Sequence, residues 1–167
     1  GMNMYALLQL SRQVEPAVGT IRYIIIYVAS GIAGFAVSAV WHYLLFPYGG
    51  ASAGASGAVF GMIGAVAGVL WRQGAPAWKG AATRAVVGFG VLAILPVNLD
   101  NTAHGGGMVV GALLGAALSG GAPRPSAGWQ RGLAFVLLLA CLGAIIAPRF
   151  SPFYQPMLRE IGRQAQS

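Results

Sequence analysis

Gly54-Ala55-Ser56-Gly57-Ala58-Val59-Phe60-Gly61 opens an apolar run that continues to Trp71-Arg72. It places one hydroxyl between small residues at the start of a helix suited to a bilayer. A second apolar run starts the same way, at Asn101-Thr102-Ala103-His104-Gly105-Gly106-Gly107. Both runs are continuous rather than alternating, which argues for helices and against a β-barrel.

Composition agrees with a membrane setting. The chain is 57% hydrophobic and 8% charged, with a mean hydropathy of +0.71, whereas water-soluble domains are about 25% charged. Its 26 glycines lie inside apolar runs, where small residues let membrane helices approach closely. Cys141 is the only cysteine, so neither an intramolecular disulfide nor a thiolate metal site is expected. With two histidines and three carboxylates, no metal and no cofactor are expected. The net charge of +7 is spread over the loops rather than gathered in a stripe, which argues against a nucleic-acid partner.

Outward from the opening stretch, the chain divides into apolar runs. Residues 2–10 make about half a span, since a full crossing needs about 20 residues, and Pro16 and Gly19 predict a turn after it. Runs at 21–46, 55–71, 83–97, 101–118 and 131–148 follow. The expected fold is an all-α polytopic membrane protein of about six transmembrane helices, the first one clipped. The transmembrane domain is expected over 1–148, with a polar tail over 149–167 and a short surface helix near Met157–Arg163. Trp41, Trp71, Trp78 and Trp129 fall at span ends or in loops, as in an interfacial belt. His42, between Trp41 and Tyr43, reads as part of that belt.

Segments 11–22, 72–84 and 119–131 carry Arg12, Arg22, Arg72, Lys79, Arg84, Arg124 and Arg131, while the alternate loops 47–54 and 97–103 carry no basic residue. The basic side is expected to be cytoplasmic. Only Arg149, Arg159 and Arg163 in the tail oppose this assignment. The helices starting at residues 2, 55 and 101 then begin at the outer face, and Asn3, Ser56 and His104 share one depth. Intramembrane polar groups usually face a bundle interior or a wet cavity.

Glycines recur every four residues at Gly57 and Gly61, at Gly64 and Gly68, and at Gly107, Gly111 and Gly115. This spacing predicts close approach of the Ser56 and His104 helices. A hydroxyl and an imidazole would then meet at about 2.6–3.2 Å, the reach a general base needs. Histidine suits that role because its reference pKa is about 6.5, and Asn3 has an amide to offer an oxyanion. Asp100, four residues before His104, reads as a helix cap rather than a third catalytic member.

Gly54-Ala55-Ser56-Gly57 with Phe60-Gly61 resembles the nucleophile motif of the rhomboid intramembrane serine proteases. Ala103-His104-Gly105-Gly106-Gly107, continuing to Gly111, is similar to their base-bearing helix. Asn3-Met4-Tyr5-Ala6-Leu7, with Arg12, Glu15-Pro16 and Gly19, is similar to their second transmembrane helix. The resemblance runs from residue 2 to about 118. It implies Ser56 as nucleophile and His104 as general base, without an acidic third member. Asn3 and the Ser56 backbone amide become oxyanion donors, and Phe60 packs on the base where many members carry tyrosine.

It also implies a first helix, a long loop and a histidine four residues before Asn3, all preceding residue 1. The chain is thus expected to represent six of seven helices, with the activity ascribed to its parent. The expected partners are transmembrane protein substrates, cleaved near their outer end, and the lipid bilayer. The expected setting is a bacterial inner membrane. The alternative is a proteolytically inactive relative that binds or escorts transmembrane clients.

Overall fold

The computed structural model describes residues 2–45, 55–94, 100–120 and 127–146. Among these residues it is all-α: α1 (Met2–Val18), α2 (Thr20–Val40), α3 (Ser56–Arg72), α4 (Trp78–Ile94), α5 (Asn101–Leu118) and α6 (Gly128–Ile146). A π-helical turn over Trp41–Leu45 prolongs α2. The tail over 149–167, with its expected surface helix, lies outside the described residues, as does the loop over 47–54.

Two boundaries differ most from the sequence expectation. The first helix runs through Arg12, Glu15 and Pro16 to Val18 instead of yielding to a loop after residue 10. Proline holds a helical φ and forfeits one hydrogen bond, so in a last turn it does not end the helix. Gly19 ends it, with φ 83° and ψ 154°, a region essentially reserved for glycine. The amide of Gly19 donates to the Glu15 carbonyl at 2.7 Å, and the Thr20 hydroxyl donates to the Glu15 carboxylate at 2.7 Å. Helix α4 begins at Trp78, five residues before the expected start at 83. Gly74, with φ 67°, turns the chain just ahead of it.

Interhelical contacts give the directions. Positions where a glycine Cβ would strike the neighbouring helix pair Gly107 with Gly57, Gly111 with Gly61 and Gly115 with Ala65. The sequence offset stays constant down the interface, so α3 and α5 run parallel. Helix α2 runs against both. Its start meets the end of α5 through Arg22 Nη1 to the Leu118 carbonyl at 3.5 Å. Its far end meets the start of α5 through Gly34 against Ala103 and Val37 against Gly106. Ser30, fully buried on α2, returns its hydroxyl to the Ile26 carbonyl at 2.6 Å and faces Gly61.

The apolar core sits toward the other end of this trio, where Val14, Val18, Ile26, Met62, Ala65 and Val69 cluster. At that end Arg22 Nε also donates to Gln130 on α6 at 3.3 Å, and Arg72 lies beside Gly120. The basic residues Arg22 and Arg72 therefore share one end of the bundle, opposite Ser56 and His104.

Helices α4 and α6 carry apolar outer faces. Helix α4 exposes Val86, Val87, Val91 and Ile94, and α6 exposes Phe135, Val136, Leu139 and Leu142. A water-exposed surface rarely carries contiguous apolar patches of this extent. The segment Thr20–Leu44 is long and apolar enough to cross a membrane by itself. The 17-residue α3 is about 26 Å long at 1.5 Å per residue, a little short of the ~30 Å hydrocarbon layer. A shortfall of that size is accommodated by local thinning of the bilayer.

Candidate active site

The site begins with backbone geometry. Ser56 is the first residue of α3, and the first helical amide to find a helical acceptor is that of Val59, which bonds the Ala55 carbonyl at 3.1 Å. The amides of Ser56, Gly57 and Ala58 precede it, in the first turn where helix N–H groups have no intrahelical partner. Their dipoles point out of the helix start, an arrangement that favours negative charge. His104 is the fourth residue of α5, and its amide bonds the Asp100 carbonyl at 3.1 Å.

Because α3 and α5 run parallel in close register, their first turns lie side by side. His104 Nε2 stands 2.8 Å from Ser56 Oγ, joining residues 48 apart in sequence. The approach depends on absent side chains. A Cβ on Gly107 would fall on the Gly57 carbonyl, one on Gly111 on the Gly61 carbonyl, and those on Gly64 and Gly68 on the carbonyls of Met108 and Ala112. Each glycine costs helix stability, roughly 1 kcal/mol relative to alanine. Backbone-to-backbone packing between small residues offsets that cost.

Phe60, one turn below Ser56, stacks on the imidazole with ring centroids 4.4 Å apart and planes 16° from parallel. Phe89 of α4 meets the other side of this group edge-on, 6.2 Å from Phe60 at 80°. His104 is 2% exposed, whereas Ser56 is half-buried. Its Nδ1 is buried with no hydrogen-bond partner among the described residues.

Asp100 is elsewhere. Its Oδ1 accepts the Ala103 amide at 2.9 Å and the Thr102 hydroxyl at 2.6 Å, making it the N-cap of α5, and Oδ2 accepts the hydroxyl of Ser38 on α2. His42 Nε2 lies 3.9 Å from Asp100 Oδ1. His42, in the π-helical turn that prolongs α2, thus sits where that end of α2 meets the start of α5. Asn3 lies in the first turn of α1 and is exposed; among the described residues no hydrogen bond joins it to Ser56 or His104.

Ser56, His104, Phe60, Gly57, Gly61, Gly107 and Gly111 are therefore gathered at one interface, and Asn3 is not joined to it by any hydrogen bond among the described residues. Sequence reasoning missed Phe89 and Ser38. Ser38 had a signal, because Ser30, Gly34 and Ser38 repeat every four residues on α2, the same small-residue spacing that marked α3 and α5.

Comparison with known proteins follows the same lines. The family model described as the Rhomboid domain matches residues 1–121. The rhomboid protease GluP of Bacillus subtilis (strain 168) is 36% identical over 160 residues, covering 92% of this chain and 29% of GluP. RHOMBOID-like protein 4 of Arabidopsis thaliana is 35% identical over 136 residues, covering 77% of this chain and 32% of the relative. RHOMBOID-like protein 6, mitochondrial, of the same plant is 32% identical over 137 residues, covering 77% and 41%. The chain thus spans 29% and 32% of the first two relatives. No solved structure matches it significantly. The domain match, the relatives and the all-α bundle agree: the chain belongs to the rhomboid family of multi-pass membrane proteins.

Proposed function

We propose that the protein is an intramembrane serine endopeptidase that cleaves transmembrane protein substrates near the outer membrane face. The observation that carries this reading is the 2.8 Å approach of His104 Nε2 to Ser56 Oγ across two helices. For catalysis the neutral ring holds its proton on Nδ1 and leaves Nε2 free to accept.

Ser56 Oγ attacks the scissile carbonyl carbon while its proton passes to Nε2. The carbonyl oxygen becomes an oxyanion beside the amides at the start of α3, with the Ser56 amide as one donor and the Asn3 side chain as a second. One such donor is commonly worth about 3–4 kcal/mol. The intermediate collapses, the C–N bond breaks, and the departing amine takes the proton from Nε2. Water then attacks the acyl-enzyme ester, gives a proton to Nε2, and the ester C–O bond breaks to release the acid and restore the Ser56 hydroxyl. Phe60 holds the ring plane through both proton transfers.

The basic end of the bundle, with Arg22 and Arg72, is assigned to the cytoplasm, so the dyad lies toward the outer leaflet. A bacterial inner membrane is the proposed setting, with the lipid bilayer and transmembrane segments as partners and no cofactor.

The test is fluorophosphonate labelling and cleavage of a transmembrane substrate by the intact membrane-embedded protein. Ser56→Ala and His104→Ala are expected to abolish both. Cleavage that survives in Ser56→Ala overturns the reading. A wild-type protein that binds transmembrane clients without labelling or cleaving them supports the inactive escort instead.

A further inference from the structure

We propose that Asp100, through Ser38, is a positioning residue for His104. This rests on the assignment of His104 as general base and adds a device for holding it. The argument starts from the imidazole. Its Nδ1 has no hydrogen-bond partner among the described residues. In a Ser-His-Asp triad, a carboxylate on that nitrogen fixes the ring; among the described residues no such group does. Phe60 fixes the plane of the ring, but a stacked ring still slides within its plane. Where the ring stands along and across the bundle is set by the backbone of the first turn of α5.

Asp100 holds that turn from three sides. Its carbonyl accepts the His104 amide at 3.1 Å. Its Oδ1 caps the helix at Ala103 N, the residue before His104, and accepts the Thr102 hydroxyl. Its Oδ2 takes the hydroxyl of Ser38, which is 2% exposed on α2. The backbone of α5 lies against the same stretch of α2: a Cβ on Gly34 would come within 2.6 Å of the Ala103 carbonyl. The first turn of α5 is thus tied to α2 by a part-buried polar link and seated on it by backbone contact, while Ser56 sits on the third helix of the trio. Without the link, the turn carrying the base is free to fray, as uncapped helix starts do.

The experiment compares Asp100→Ala, Asp100→Asn and Ser38→Ala in the intact protein in membranes, with kcat and KM determined per folded molecule. Asparagine is about as good an N-cap as aspartate and keeps an oxygen for Ala103 N and a polar group for Ser38. A displacement of about 1 Å costs on the order of 100-fold in rate. Asp100→Ala is therefore expected to lower kcat about 10- to 100-fold with KM little changed. Asp100→Asn is expected to restore kcat to within about 3-fold of wild type. Ser38→Ala, which leaves the cap intact, is expected to fall between them.

A loss confined to the yield of folded protein or to KM overturns the proposal, as does Asp100→Asn being as slow as Asp100→Ala. Should Asp100→Ala fail to fold, Ser38→Ala decides: reduced kcat supports the link, and wild-type kcat overturns it. Cleavage persisting in His104→Ala is a different failure, because it removes the base assignment without touching Asp100.

Discussion

Helices α3 and α6 both carry glycines four residues apart, and the two sets do opposite things. On α3, Gly57 and Gly61 lie against the backbone of α5 and the side chain of Ser30, and their partners Gly107 and Gly111 meet α3 carbonyls in return. On α6, Gly128 and Gly132 have the same spacing and face open space, as do Gly88 and Gly90 on α4. A small residue therefore permits close approach without causing it. Approach occurs only where both facing helices are small along a matched register, as α3 and α5 are. Helix α6 instead meets α2 through Arg22 and Gln130 at one end and presents an apolar face outward.

The most severe way to break this contrast is Gly111→Ala. The added methyl meets the Gly61 carbonyl, a backbone atom that no rotamer change removes. We expect a loss of about 3 kcal/mol or more, read as thermal unfolding in detergent, and a fall in fluorophosphonate labelling because the dyad opens. Phe60→Ala comes next. It removes the ring stacked on His104 and leaves a cavity worth about 3–5 kcal/mol, with slower cleavage, while Phe60→Tyr keeps the stack and stays close to wild type in rate.

Gly19→Ala has a smaller effect, about 1–3 kcal/mol. Nothing lies within 4 Å of its Cβ position, so the whole cost comes from its positive φ. Gly88→Ala and Gly132→Ala are expected to be neutral or to stabilise by up to about 1 kcal/mol through helix propensity. Losses at these two positions as large as that of Gly111→Ala would end the distinction between packed and open glycines.

Much of the site was legible before any coordinates. Ser56 and His104 were marked by small-residue motifs at the starts of two apolar runs, Phe60 by the resemblance to the rhomboid family, and the capping role of Asp100 by its place before α5. The extent of α1 was not legible, because Pro16 carries a break signal whose weight depends on whether a last turn can spare one hydrogen bond. Nor was the early start of α4, where Trp78 and Lys79 read equally well as loop residues.

Residue order alone makes the chain helical and apolar, places its polar residues along each helix, and marks which surfaces are smooth enough for backbones to touch. Those properties are local: hydropathy, side-chain volume and helix propensity belong to each residue. What the packed bundle added is the residue-by-residue match of α3 with α5, the closure of Ser56 and His104 to hydrogen-bond distance, and the reach of Ser38 to Asp100. Such facts depend on the relative registry of separate helices, and registry is a property of the interface, which no single stretch of chain contains.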